Sequence, residues 1–188
     1  MRSPLAKASS QKSISASMII ETRNLNLISC DTEILKSAIE GNEILAKKMN
    51  LAVHDNWTEF GVGALQYSLD KLAESDDEKN WWTYFPIHKQ DNKLIGSGGY
   101  KGKPTTDGTV EIGYEIAPDY RNCGLATEMA KGLIEFAFQD ARVKSIHAHT
   151  LGQVNPSTKV LQKCGFEKVE EINDPDDGLI WKWVLKRS

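Results

Sequence analysis

Cysteine is scarce in this 188-residue chain, which has only Cys30, Cys123 and Cys164. Their spacing fits no metal site, and an odd count argues against a disulfide framework, so reduced thiols in a cytoplasmic protein are the expectation. Long apolar runs are missing too. No stretch approaches the roughly 20 residues that a membrane span requires, so a soluble protein without a membrane partner is expected. Positive charge is in deficit: 23 Lys and Arg against 26 Asp and Glu leave a net charge of −3. Bulk electrostatics therefore opposes nucleic-acid binding. There is no internal repeat, and no Gly-x-Gly-x-x-Gly follows the first predicted strand, which disfavours a Rossmann-type dinucleotide site.

Acidic residues are absent from residues 1–17, a Ser- and Lys-rich segment read as a disordered tail. That composition also resembles an organelle transit peptide, but Arg2 is its sole arginine and its amphipathic pattern is weak. Residues 18–188 suffice for one well-buried domain, and 40% hydrophobic with 26% charged residues is ordinary globular composition.

The periodicities alternate between strand and helix. A first strand is predicted over 19–28, then a helix capped by Asp31 and stopped by Gly41, and a short helix to Met49. Leu65, Leu69 and Leu72 mark a third helix. Two strands follow, 82–88 and 93–101, around the turn Gln90-Asp91-Asn92, and Pro86 suggests an edge or a bulge. A strand over 110–116 precedes a helix to about Asp140. A strand over 143–150, a short helix from Asn155 to Gly165, and two antiparallel strands around Asp174 to Gly178 complete the chain. The expected architecture is a single α/β domain, a mixed sheet of about seven strands with helices on both faces.

The segment Arg121-Asn122-Cys123-Gly124-Leu125-Ala126 is the most informative one. It joins the strand ending at Ile116 to a helix whose apolar ridges are Leu125, Met129, Leu133, Ala137 and Ala126, Ala130, Ile134, Phe138. The first N–H groups of such a helix lack carbonyl partners and carry the positive end of the macrodipole, so the loop suits an anion such as a phosphate.

Two motifs together resemble a known family. Val110-Glu-Ile-Gly-Tyr-Glu-Ile-Ala-Pro-Asp-Tyr-Arg-Asn-Cys-Gly-Leu-Ala-Thr-Glu resembles the Arg/Gln-x-x-Gly-x-Gly/Ala acetyl-CoA segment of the GNAT N-acetyltransferases. Asn155-Pro-Ser-Thr-Lys-Val-Leu-Gln-Lys-Cys-Gly-Phe resembles the Asn-x-x-Ser-x-x-Val-Leu-x-Lys-x-Gly-Phe helix of the branch containing ribosomal-protein N-terminal alanine acetyltransferases, except that Asn155 lies two residues before Ser157 instead of three. The opening Ile-Glu-Thr-Arg-Asn-Leu-Asn-Leu is similar to that branch's first strand.

The resemblance implies acetyl-CoA as cosubstrate without a metal, and a primary amine as acceptor, a protein N-terminus being favoured. It implies that the main chain of Ile116 and Ala117 pairs with the pantetheine arm. It places the pyrophosphate on the N–H groups of Arg121, Asn122, Cys123, Gly124, Leu125 and Ala126, with Asn155 and Ser157 also at the cofactor. Glu111 occupies a position that serves as general base in similar enzymes, where apolar neighbours would raise its pKa; otherwise it is a solvated carboxylate beside Glu115. Ser157 is either the proton donor to the leaving thiolate or a helix cap. Monomer and homodimer are both compatible with the sequence.

Other candidates read as structural. Tyr100 and Tyr114 are expected to pack. His147 and His149 share a strand face without a third ligand nearby, and Asp174, Asp176 and Asp177 read as a solvated turn. Trp57, Phe60, Trp81 and Trp82 serve either as acceptor-pocket walls or as packing. A small-molecule amine acetyltransferase and a non-catalytic acyl-CoA sensor are the alternative functions.

Overall fold

Alternation of buried and half-buried residues in Leu25–Ser29 sets the pattern of the sheet, because successive strand side chains point to opposite faces. The computed structural model describes residues 17–187, so the expected tail, apart from Ser17, lies outside the described residues. The strands are β1 (Ile19–Glu21), β2 (Leu25–Ser29), β3 (Ala52–Val53), β4 (Thr83–His88), β5 (Lys93–Leu94), β6 (Gly96–Tyr100), β7 (Thr109–Ile116), β8 (Ser145–Leu151), β9 (Glu167–Asp174) and β10 (Gly178–Lys186). The helices are α1 (Thr32–Glu40), α2 (Asn42–Met49), α3 (Gly61–Glu74), α4 (Leu125–Gln139) and α5 (Pro156–Lys163).

The main path of the sheet runs β1-β2-β4-β6-β7-β8-β10-β9, with β3 and β5 paired beside it. It has ten strands instead of the expected seven, for local reasons. The run 19–28 folds back at Thr22–Asn24 into an antiparallel hairpin, Ile19 opposite Ile28. The run 93–101 divides at Ile95, whose N–H bonds the Pro86 carbonyl at 3.1 Å. Pro86 is not on an edge: it stands opposite Leu27 in interior strand β4. There β4 passes from pairing with β6 at Thr83 and Tyr84 to pairing with β5 at Ile87 and His88, and the missing proline N–H falls in the break.

Tyr84 and Phe85, adjacent and fully buried, belong to the two different cores. Phe85, Ile87 and Leu94 pack with Leu35 of α1, Leu45 of α2 and Leu65 of α3 on one face. Leu27, Ile112 and Ile146 pack with Met129 and Leu133 of α4 and Leu161 of α5 on the other. Each such burial stabilises by about 1.5–3 kcal/mol. Close approach of β6 and β7 needs a glycine at Gly98, because a Cβ there would lie 2.6 Å from the Gly113 carbonyl oxygen and 2.9 Å from the Tyr114 Cα. Tyr100 packs as expected, and its hydroxyl donates to the Leu133 carbonyl.

Helix α4 is also tied to the first hairpin. The Glu128 carboxylate accepts from Thr22 Oγ1 at 2.6 Å and from the Asn24 side-chain amide at 2.8 Å. Burial pushes this carboxyl up, but the hydrogen bonds from Thr22 and Asn24 prevail and hold it below the ordinary glutamate value.

Two outcomes follow for stability. Met129→Ala should cost about 2–5 kcal/mol in urea unfolding, since the side chain is wholly buried between α4 and the sheet. A depressed folded pKa adds stability above the unfolded value of about 4.3, and that stability is lost as pH falls through the folded value. Melting temperatures of wild type and Glu128→Gln should therefore differ most near neutrality and converge as pH falls below the lowered folded value.

Candidate functional site

Strands β7 and β8 run parallel but pair only at Thr109–Ser145, Val110–Ile146 and Glu111–His147. Beyond these, β7 follows β6 up to Ile116, while β8 follows β10 up to Leu151. A wedge opens between them. The Lys101 N–H bonds the Glu111 carbonyl at 2.9 Å, and the Ala117 N–H bonds the Ile95 carbonyl at 2.7 Å. Odd-numbered residues of β7 thus face β6, and the main-chain groups of Ile112, Tyr114 and Ile116 face the wedge. The Ile116 carbonyl accepts from Arg121 Nε at 2.8 Å. Ala117 commits its N–H to Ile95 and its carbonyl to Tyr120, so of the two residues expected at the edge only Ile116 faces the opening.

The loop after β7 begins with a 3-10 turn, Pro118–Tyr120. Asn122 at φ 63° and Gly124 at φ 80° are both left-handed, a conformation that favours glycine and tolerates asparagine. Gly124 starts α4, no side chain caps the helix, and the space where a Gly124 Cβ would stand is open. Asn122 and Cys123 are exposed; Leu125 buries its side chain in the core, and half-buried Ala126 packs against it. The loop is braced from several sides. Tyr120 donates to Asp91 at 2.6 Å, His54 Nε2 meets Asp119 at 3.2 Å, and Arg121 Nη2 meets Glu59 at 2.6 Å.

Helix α5 borders the far side of the wedge. Its cap is Asn155, whose side chain accepts from the Thr158 N–H at 3.0 Å, while the Thr158 hydroxyl lies 3.1 Å from the Asn155 N–H. The capping role considered for Ser157 therefore belongs to Asn155. Ser157 is half-buried in the first turn, and its hydroxyl has no hydrogen-bond partner among the described residues. Tyr114 reaches over from β7, its hydroxyl 3.4 Å from the Ser157 carbonyl. Burial pushes the Tyr114 phenol well above its usual range.

On the opposite face of β7 stand Glu111, Gly113 and Glu115. The Glu111 carboxylate accepts from Lys101 Nζ and from His149 Nδ1, the latter at 3.0 Å. The expected upward pKa shift of Glu111 is reversed. Burial does push the carboxyl up, but Lys101 and His149 hold it below the ordinary value. Glu115 differs: burial raises it, only partly offset by Thr58 Oγ1 at 2.6 Å and the Glu59 N–H at 2.7 Å. Between the two carboxylates a Cβ on Gly113 would meet nothing within 4 Å.

Among the aromatic candidates, Trp57, Trp81 and Trp82 are buried, with Trp57 edge-on to Phe85 at 5.0 Å, so they pack. Phe60 is 55% exposed at the start of α3. No group of three potential metal ligands occurs among the described residues, and no described helix is long and apolar enough to cross a membrane. The pairing of His149 with Glu111 went unrecognised in the sequence. Its signal was the placement of His147 and His149 on one face of β8, but only the parallel register brings that face beside Glu111.

Comparison with known proteins agrees with this geometry. The family described as "Acetyltransferase (GNAT) domain" matches residues 41–167. The uncharacterized N-acetyltransferase YjdG of Bacillus subtilis (strain 168) is 25% identical over 150 residues, which cover 79% of this chain and 89% of YjdG. RimL, a ribosomal L7/L12 alpha-N-protein acetyltransferase solved in complex with coenzyme A, has a TM-score of 0.67 at 11% identity, covering 90% of this chain and 98% of its own. The ribosomal-protein-S5-alanine acetyltransferase from Vibrio fischeri has a TM-score of 0.66 at 15% identity, covering 90% and 96%. With a family match over most of its length and a splayed sheet of the same fold, the chain belongs to the GNAT acetyltransferases and is an acyltransferase.

Proposed function

We propose that this protein transfers the acetyl group of acetyl-CoA to a primary amine by direct attack in a ternary complex, with a protein N-terminus as the favoured acceptor. The observation that carries the reading is the wedge. It links an uncapped helix start at Gly124, suited to a pyrophosphate, to an open floor at Gly113 between two carboxylates. The main-chain edge of β7 around Tyr114, between them, suits the amide-bearing pantetheine arm, as an added strand would.

Each candidate residue then has a physical task. N–H groups from Asn122 to Ala126 hold the pyrophosphate; the role expected of the Arg121 N–H is corrected, because the Pro118 carbonyl takes it, while the guanidinium braces the loop against Ile116 and Glu59. Asn155 and Thr158 fix the start of α5, which holds Ser157 at the wedge. The Ser157 hydroxyl, free of other partners, donates a proton to the departing thiolate. Main-chain N–H groups facing the wedge polarise the thioester carbonyl.

The preference for an N-terminus rests on acidity and on the neighbours. An α-amino group, with a pKa of about 7.7–8.0, is neutral in roughly one molecule in ten at pH 7, against about one in thousands for lysine. RimL and the Vibrio fischeri enzyme are both ribosomal-protein acetyltransferases by name.

Isothermal titration should show binding of acetyl-CoA and none of NAD or ATP; no heat with millimolar acetyl-CoA would refute the proposal. Thiol release should be fastest with peptides beginning in alanine or serine. A response to polyamines or amino acids alone would reassign the acceptor, and silence with all of them, despite binding, would indicate an acyl-CoA sensor. Gly124→Val forces a β-branched residue into a left-handed backbone and should weaken acetyl-CoA binding about tenfold or more. Gly113→Leu should leave the acetyl-CoA Kd within about twofold but lower peptide turnover by more than about tenfold, because its side chain fills the open floor.

A further inference from the structure

We infer that His149 is the proton acceptor for the incoming amine and that Glu111 acts through it as a positioning residue. The inference rests on the acetyltransferase reading of the wedge. The ladder of β7 and β8 ends at Glu111 and His147, so Gly113 and His149 hold the positions that would pair next if the strands had stayed together. His149 is therefore the first residue of β8 beyond the last pair on this face. Across the opening, the absence of a side chain at Gly113 leaves room for a ligand atom.

The ring's orientation is fixed by its partner. Glu111 is ionised, held so by Lys101 and His149, and an ionised carboxylate can only accept a hydrogen bond. Nδ1 of His149, 3.0 Å from Glu111 Oε1, must then carry the proton. The lone pair of the neutral ring is left on Nε2, which has no hydrogen-bond partner among the described residues. The side chain is 27% exposed, so a released proton has a path to water. Glu111 itself is a poor base, because its carboxylate is already engaged by two donors.

The charged groups around His149 come from three other strands and their flanks. Glu111 on β7 faces Nδ1, with Lys101 on its other side; His147 lies two residues back on β8; Lys182 stands directly opposite on β10; and Asp174 at the end of β9 is near enough to interact electrostatically. In the reaction Nε2 takes one proton from the acceptor ammonium. The neutral nitrogen attacks the thioester carbon, and the C–S bond breaks as the C–N bond forms. The surplus N–H proton replaces the one that Ser157 gives to the thiolate, so free coenzyme A leaves with the hydroxyl restored, and His149 returns its own proton to solvent.

The first test needs neither a variant nor an acceptor. Long-range 1H–15N spectra of the free wild-type protein above pH 8 should show His149 protonated at Nδ1 with a bare Nε2; protonation at Nε2 against Glu111 would overturn the proposal. The second uses an alanine-initiated peptide and acetyl-CoA. His149→Gln should lower kcat/KM about 100-fold or more while leaving the acetyl-CoA Kd within about twofold. Glu111→Leu, which removes the acceptor of the Nδ1 proton, should bring the Nε2-protonated tautomer into the same spectra and lower kcat about tenfold with the acetyl-CoA Kd within about twofold. Retention of more than about half the wild-type rate by His149→Gln, or an unchanged tautomer in Glu111→Leu, would refute the assignment even where acetyl-CoA binds normally. Loss of acetyl-CoA binding by the wild type would instead refute the function on which it rests.

Discussion

The parting of β7 from β8 after three residue pairs is the constraint on which the rest of the site depends. Each strand is held on its other side, β7 by five registered pairs with β6 and β8 by seven with β10. The divergence is therefore a built feature with stable margins, and neither strand frays. It exposes main-chain groups in the middle of a sheet, where they would otherwise satisfy one another. Such groups demand a partner, and an extended ligand rich in amides would supply one. Helix α4 completes the arrangement by covering one face while its bare start points at the mouth.

Local environment divides two carboxylates that the sequence presents as equals. Glu111 and Glu115 are four residues apart on one strand face, and both are partly buried. Lys101 and the His149 N–H bring Glu111 below its usual pKa, whereas Glu115, bonded to a neutral hydroxyl and an amide, stays above it. Net charge on the partners decides the direction, because burial acts on both in the same sense. Glu115 then serves to fasten the segment before α3 against β7, through Thr58 and Glu59.

Periodicity made the helices and most strands legible before any coordinates. Asp31 and Gly41 bound α1 as expected, the ridges through Met129 and Leu133 form α4, and the turn at Asp174–Gly178 joins an antiparallel pair. The breaks were not legible. Ile19 to Ile28 alternates well enough for one strand, but a turn closed between Thr22 and Leu25 reverses it, and Glu128, distant in sequence, grips that turn at Thr22 and Asn24. The loop Arg121 to Ala126 could be located because a helix start is a local property. The contacts of Glu111 could not: Lys101 and His149 are ten and 38 residues away, and both depend on strand register. Apolar neighbours in sequence suggested desolvation, and two hydrogen-bond donors in space outweighed it.

The bracing of the loop after β7 has a thermodynamic consequence. Tyr120, Asp119 and Arg121 are fastened to Asp91, His54 and Glu59, and Arg121 also to the Ile116 carbonyl, so the left-handed turns at Asn122 and Gly124 are already set in the free protein. The conformational entropy of ordering these residues is lost when the chain folds and need not be lost again when an anion arrives. A flexible glycine-bearing loop would have to surrender part of its binding energy to become ordered. Here contacts from Asp91, His54 and Glu59 fix the shape of the loop in advance.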